Sequence, residues 1–189
     1  MPKILIVIII TVLVFLGTFW FYKNKNETQV LNIQRSQNLA LKMKISSPNF
    51  SNNEFIPSEF TCEGKDINPE LYIEDVPKEA KSLVLIVDDP DAPMGTWTHW
   101  TLWNISPDTK VIKSGEVPQG AVEGKTDFGR PGWGGPCPPK GNAHRYFFKL
   151  FALDILLDLK QGAERKDLEK AMEGHILDKA ELIGLYQRK

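Results

Sequence analysis

Several functional classes depend on residues that this chain has little of. Two cysteines in 189 residues are too few for a disulfide-dense scaffold or a four-ligand structural zinc site. The formal net charge of −1 leaves no excess of Lys and Arg for the basic face of a nucleic-acid binder, so no nucleic-acid partner is expected. No internal repeat, His-Glu-x-x-His zinc motif or Gly-x-Ser-x-Gly nucleophile elbow occurs. At 42% hydrophobic and 25% charged residues, the chain is neither disordered nor collagen-like.

Turn-forming residues are plentiful. Fourteen Gly and thirteen Pro are spread along the chain and favour a β-rich fold over a helical bundle. From Ile4 to Tyr22 no residue is charged. About 20 apolar residues in a helix span a bilayer core. The run ends in Thr18-Phe19-Trp20-Phe21-Tyr22 without a small-residue cleavage site, which reads as an uncleaved signal-anchor with an interfacial aromatic belt. The expected organisation is a transmembrane helix over residues 1–23, a polar tether over 24–41 and one domain over 42–189. That domain would be extracytoplasmic and held at the membrane by the helix, with cleavage and secretion as the alternative. From Leu41 onward the chain carries nineteen basic and twenty-three acidic residues, a net charge of −4.

Within the domain, strands are expected at 43–46, 70–73, 82–87, 98–105, 111–117, 145–152 and 181–186. Ser82 to Val87 is apolar on both faces and reads as a central, doubly covered strand. The only good helical pattern runs from Ala163 to Gly174, with Leu168, Ala171 and Met172 on one face.

Three segments carry chemistry. The first, Val87-Asp88-Asp89-Pro90-Asp91-Ala92-Pro93, places three carboxylates at the end of an apolar strand. In extended backbone Asp89 and Asp91 point one way and Asp88 the other. The second, Trp97 to Asn104, is a strand with His99 on a covered face. The third, Gly132 to Tyr146, is too rich in Gly and Pro for regular structure. Its amides can approach a ligand closely, because glycine has no Cβ in the way. Each segment also has a plain structural reading, as a solvated turn, a satisfied core histidine and a long connection.

Taken in order, Asp89-Pro90-Asp91-Ala92-Pro93, Trp97-x-His99 and Gly135-Pro136-Cys137-Pro138-Pro139-x-Gly141-x-x-His144-Arg145-Tyr146 resemble the phosphatidylethanolamine-binding protein family. The Cys-Pro-Pro version and the Thr61-Cys62-Glu63-Gly64 turn are similar to its bacterial and archaeal branch, often called Raf kinase inhibitor-like. The resemblance runs from about Met43 to Arg188. It implies a large central antiparallel β-sheet packed on a smaller sheet, with a few helices late in the chain. It also implies a pocket for phosphate or a phospholipid head group, walled by Asp89, Asp91, His99, Gly135, Cys137, Pro138, Pro139, His144 and Tyr146. Regulation of a kinase or protease is implied too, with no catalysis, metal or other cofactor. The chain departs from the pattern at Trp133, where many relatives have Tyr, and at Thr126, where Asn is expected; Trp133 would alter the pocket mouth.

An anion between two carboxylates needs donors. Imidazoles supply them, and a neighbouring carboxylate orients an imidazole and favours its charged form. The expectation is therefore binding through protonated His99 or His144, with Asp89 or Asp91 orienting, Tyr146 donating a hydroxyl and the glycine-rich loop adding amides. Two alternatives use the same residues: a divalent-metal hydrolase built on the two His and two Asp, and a hydrolase with Cys137 and His144. Cys62 and Cys137 could pair or stay free.

Overall fold

The computed structural model describes residues 20–30 and 42–188, in two units, Met1–Leu41 and Lys42–Lys189. Of the first unit, residues 20–30 are helical, which carries helix into the stretch read as tether. The rest of the expected anchor and tether lies outside the described residues. Among those described, no helix is long and apolar enough to cross a membrane.

The second unit is built on two sheets. Its strands are β1 (Lys44–Ser46), β2 (Glu54–Phe55), β3 (Leu71–Glu74), β4 (Ser82–Asp89), β5 (Trp97–Ile105), β6 (Val111–Ile112), β7 (Val122–Glu123), β8 (His144–Leu153) and β9 (Ile176–Tyr186). The small sheet has the order β1-β3-β6 and the large one β2-β9-β8-β4-β5-β7. All pairings are antiparallel except β2 with β9, so the large sheet is mixed at one edge rather than wholly antiparallel.

Alternation along β4 divides the core. Leu83, Leu85 and Val87 enter one cluster with Trp100, Phe148, Leu150 and the small-sheet residues Ile45, Leu71, Ile73 and Ile112. Val84 and Ile86 enter a second, with Trp103, Leu153, Leu168 and Met172. One face of the large sheet is thus covered by the small sheet. The other is covered by α1 (Arg165–Met172) and the loops around it. Every residue of β4 is buried, as its two apolar faces require.

Two expected strands change length, and the helix count changes too. The final strand begins at Ile176 instead of Glu181, because β9 runs antiparallel along all of β8. The strand expected over 111–117 stops at Ile112, where the chain turns through Gly115 at φ +72°. In place of several late helices, α1 is the one α-helix described in this unit; a 3-10 turn, Ser58–Phe60, comes early.

Candidate functional site

The site forms where β4 ends. A register irregularity between Val87 and Asp88, a device that re-aims side chains, interrupts the β4–β5 pairing there. Pro90 then turns the chain. Asp89 stays on the face carrying Leu85 and Val87. Asp88 goes to the opposite face, fully buried, with Lys149 Nζ and Arg165 Nη1 each 2.7 Å from its Oδ2. The expected division between Asp88 and Asp89 is what the fold contains.

Asp89 is buried and both its oxygens are engaged. Its Oδ1 accepts the Asp91 N–H at 2.8 Å, and its Oδ2 accepts Nδ1–H of His144, the first residue of β8, at 2.7 Å. His99, buried in β5, donates Nδ1–H to the Gly134 carbonyl at 2.6 Å. With Nδ1 occupied in both rings, Nε2 is the nitrogen each can offer to a ligand. The His99 ring packs edge-on against Tyr146, with centroids 5.1 Å apart, and against Phe128 at 5.4 Å. Burial holds the His99 pKa below the usual imidazole value, although the Gly134 carbonyl and the nearby carboxylates pull the other way. Burial thus favours the neutral imidazole of His99 in the empty site, where neighbouring carboxylates alone would have raised its pKa.

Tyr146 supplies an unusual donor. Its hydroxyl is buried and has no hydrogen-bond partner. Burial first, then the negative charge of Asp89 and the approach of the hydroxyl to that carboxylate, push its pKa well above that of an ordinary phenol. The hydroxyl keeps its proton, and the Asp89 oxygens beside it already accept from His144 and an amide without closing a hydrogen bond to it.

These groups enclose a cleft of about 200 Å³. Its polar lining is Asp89, His99, His144 and Tyr146; its apolar lining is Ala92, Pro93, Trp97, Phe128, Cys137, Pro138 and Pro139. Seven of the nine expected site residues therefore meet in one cleft, and two do not. Asp91 is spent on Arg145, accepting its backbone N–H at 3.0 Å and its guanidinium at 2.9 and 2.7 Å. That guanidinium holds the Asp91 carboxyl down to about 2. Asp91 thus fixes the start of β8, where His144 sits, instead of lining the cleft. Gly135 lies behind the wall, its N–H donated to Asp66 Oδ1 at 2.7 Å. A Cβ there would lie 2.6 Å from the Phe60 carbonyl oxygen. Trp133 does not reach the mouth either: it is buried against Trp100 and Phe148.

Phe128 was not expected in the cleft. It sits at the tip of a turn closed by Gly129 N–H to Thr126 O and anchored by the Thr98 N–H to Asp127 Oδ2 at 2.6 Å. Its ring occupies the space over Gly134, where a Cβ would come within 2.3 Å of it. Asp127-Phe128-Gly129, turn residues flanking an aromatic, was the available sequence signal. Cys62 and Cys137 form a disulfide, Cα–Cα 5.5 Å, which settles the pairing and leaves no thiol for the Cys137 hydrolase. Among the described residues, no group of three His, Cys, Asp or Glu is placed to hold a metal ion.

The chain is similar to known proteins over this same domain. Residues 46–187 match the family model described as phosphatidylethanolamine-binding protein. The UPF0098 protein PH1269 of Pyrococcus horikoshii is 58% identical over 156 residues, 79% of this chain and 78% of that protein. A UPF0098 protein of Aquifex aeolicus is 52% identical over 152 residues, 77% of this chain and 89% of its own length. Among solved structures, the phosphatidylethanolamine-binding protein homolog CT736 of Chlamydia trachomatis superposes with a TM-score of 0.76 at 42% identity. That match covers 79% of this chain and 99% of CT736. E. coli YbcL, titled a new member of the mammalian family, gives 0.74 at 30% identity, covering 78% and 99%.

Proposed function

We propose that this chain, which belongs to the phosphatidylethanolamine-binding protein family, binds the phosphoryl group of a small ester in the cleft between Asp89 and Tyr146. The observation that carries the reading is the Tyr146 hydroxyl, a buried, protonated donor without a partner. An unpaired buried donor costs roughly 1–3 kcal/mol, and a ligand acceptor recovers it. A phosphoryl group presents several oxygens at once, one to accept from the Tyr146 hydroxyl and others to share a proton with the Nε2 atoms of His99 and His144. At about 200 Å³ the cleft is below the roughly 300–1,000 Å³ of drug-sized sites and suits a head-group-sized ligand. Its apolar walls favour an ester over the bare ion.

Neutral His99 makes protonation part of binding. A deprotonated Nε2 cannot donate to a phosphoryl oxygen. The ligand arrives with a P–OH that donates to Nε2, or His99 takes up a proton as the ligand enters. The Asp89 carboxylate repels the ligand less than a bare one would, since both its oxygens already accept hydrogen bonds. Asp89 holds His144 in the tautomer that turns Nε2 outward. The uncharged run Ile4 to Tyr22 is proposed as the anchor that keeps this cleft beside a membrane, a source of phosphoesters. If the chain regulates a kinase or protease, a phosphorylated side chain of that target would meet the same donors.

Calorimetric titration of the full chain with phosphoethanolamine and with inorganic phosphate, between pH 5.5 and 8.5, tests the reading. Saturable binding of the ester that weakens as pH rises is expected. No heat of binding for either ligand across this range would overturn it.

A further inference from the structure

The wall of the cleft is held from behind by a turn that the ligand never touches. Residues 133–139 have no strand pairing, so point contacts fix them. On the cleft side the loop exchanges two bonds with His99: Nδ1–H to Gly134 O at 2.6 Å, and Gly134 N–H to His99 O at 3.1 Å. On the far side it is tied to the Ser58–Asp66 turn. Gly135 N–H donates to Asp66 Oδ1 at 2.7 Å, and Cys62 N–H donates to Pro136 O at 3.2 Å. The third tie is covalent, the Cys62–Cys137 disulfide. Cys137 is itself part of the cleft lining. Both half-cystines are solvent-exposed, within reach of an attacking thiolate.

We propose that the Cys62–Cys137 bridge is a redox switch on the affinity of the cleft. Oxidised, it clamps the Gly134–Pro139 wall against the Ser58–Asp66 turn, and the wall in turn fixes the His99 ring through Gly134. A dithiol reductant attacks the bridge, gives up two electrons and two protons, and leaves as a cyclic or protein disulfide. Cys62 and Cys137 become thiols. The wall then keeps only its two hydrogen bonds to the turn, Gly134 drifts from His99, and the imidazole loses both its tautomer lock and its aim. This inference rests on the phosphoryl reading of the same cleft.

The test compares full-length oxidised protein, the same protein reduced with dithiothreitol, and Cys62→Ser, which removes the bridge by a substitution outside the cleft lining and leaves Cys137 as a thiol. Phosphoethanolamine affinity should fall by roughly 5-fold or more on reduction, the factor carried by one lost neutral hydrogen bond. Cys62→Ser should show the low affinity in either redox state. Amide hydrogen exchange without ligand should quicken on reduction more at 133–139 and at His99 than at the β4 and β8 amides, which follow the stability of the whole domain. Equal affinity in oxidised and reduced protein overturns the switch and leaves the phosphoryl reading standing. Absence of binding to the oxidised protein overturns that reading and the affinity switch together. Exchange that quickens at 133–139 by no more than it does at the β4 and β8 amides overturns it too, since the bridge would then act only as a staple of the whole domain.

Discussion

Replacing Tyr146 with Phe should make the empty protein more stable and the liganded protein weaker, opposite signs from one atom. The hydroxyl is buried without a partner, and the ring around it is fully packed in the core. Phe keeps the ring and deletes only the stranded donor. An unsatisfied buried hydroxyl costs roughly 1–3 kcal/mol, so the empty variant should gain about 1 kcal/mol after allowing for relaxation. For a domain of this size that is a rise of roughly 2–4 °C in Tm. The liganded state moves the other way. A hydrogen bond to a charged acceptor contributes about 1.5–3 kcal/mol, so affinity for phosphoethanolamine should drop roughly 10- to 150-fold. Thermal unfolding with and without ligand, together with calorimetric titration of both proteins, reads the two effects separately. A lower Tm with unchanged affinity would refute the reasoning, because the hydroxyl would then be serving the fold.

Affinity should rise as pH falls, with a slope approaching one decade per pH unit, because bound ligand favours the proton that burial disfavours on empty His99; titration in two buffers of different ionisation enthalpy should show net proton uptake near neutrality. The same lowered pKa works on stability in the opposite sense. A His whose folded pKa is depressed favours folding above its unfolded value of about 6.5, and this contribution declines as pH drops below it, which denaturant titrations of the empty protein at pH 7.5 and 5.5 will read. Reducing the disulfide, which joins residues 75 apart, should cost about 4.5 kcal/mol of chain entropy, or roughly 9–18 °C in Tm by scanning calorimetry. Gly135→Ala should destabilise the domain in denaturant titration and cut ligand affinity, since its Cβ would press on the backbone of Phe60 and Thr61 at 2.6 and 2.9 Å. Salt should matter little to phosphoethanolamine binding between 50 and 500 mM, as no Lys or Arg lines the cleft; a steep salt dependence would point to a different site.

Much of the fold was legible because burial on two faces leaves a mark in the sequence. Ser82 to Val87 has no polar alternation, and β4 lies between β5 and β8 with a packed layer on each side. The helical stripe of Leu168 and Met172 likewise became the contact of α1 with the second core. The first half of β9 was not legible. Ile176 to Ala180 mixes exposed apolar and charged residues, and its strand character comes from pairing along β8. The two-residue strands β2 and β7 are fixed in the same way by their neighbours.

At the site, residue types were readable and their partners were not. Two-residue spacing puts Asp89 and Asp91 on one face only while the backbone stays extended, and Pro90 ends that. After the turn, Asp91 meets Arg145, which comes from a strand 54 residues away. The disulfide joins positions 75 apart, a separation that says nothing about pairing. His99 shows the same limit in electrostatics. Counting carboxylates in the sequence predicts a raised imidazole pKa, but the three-dimensional answer turns on which cation answers each carboxylate. Asp88 is taken by Lys149 and Arg165, and Asp91 by Arg145, all outside the cleft lining. Asp89, the carboxylate left in the lining, is committed to His144 and an amide. Asp89, Asp88 and Asp127 still favour the charged imidazole of His99, but burial outweighs them. The cleft presents hydrogen-bonding atoms in an apolar frame instead of a field of charge, and a ligand of the proposed class would be selected by the number and placement of its oxygens.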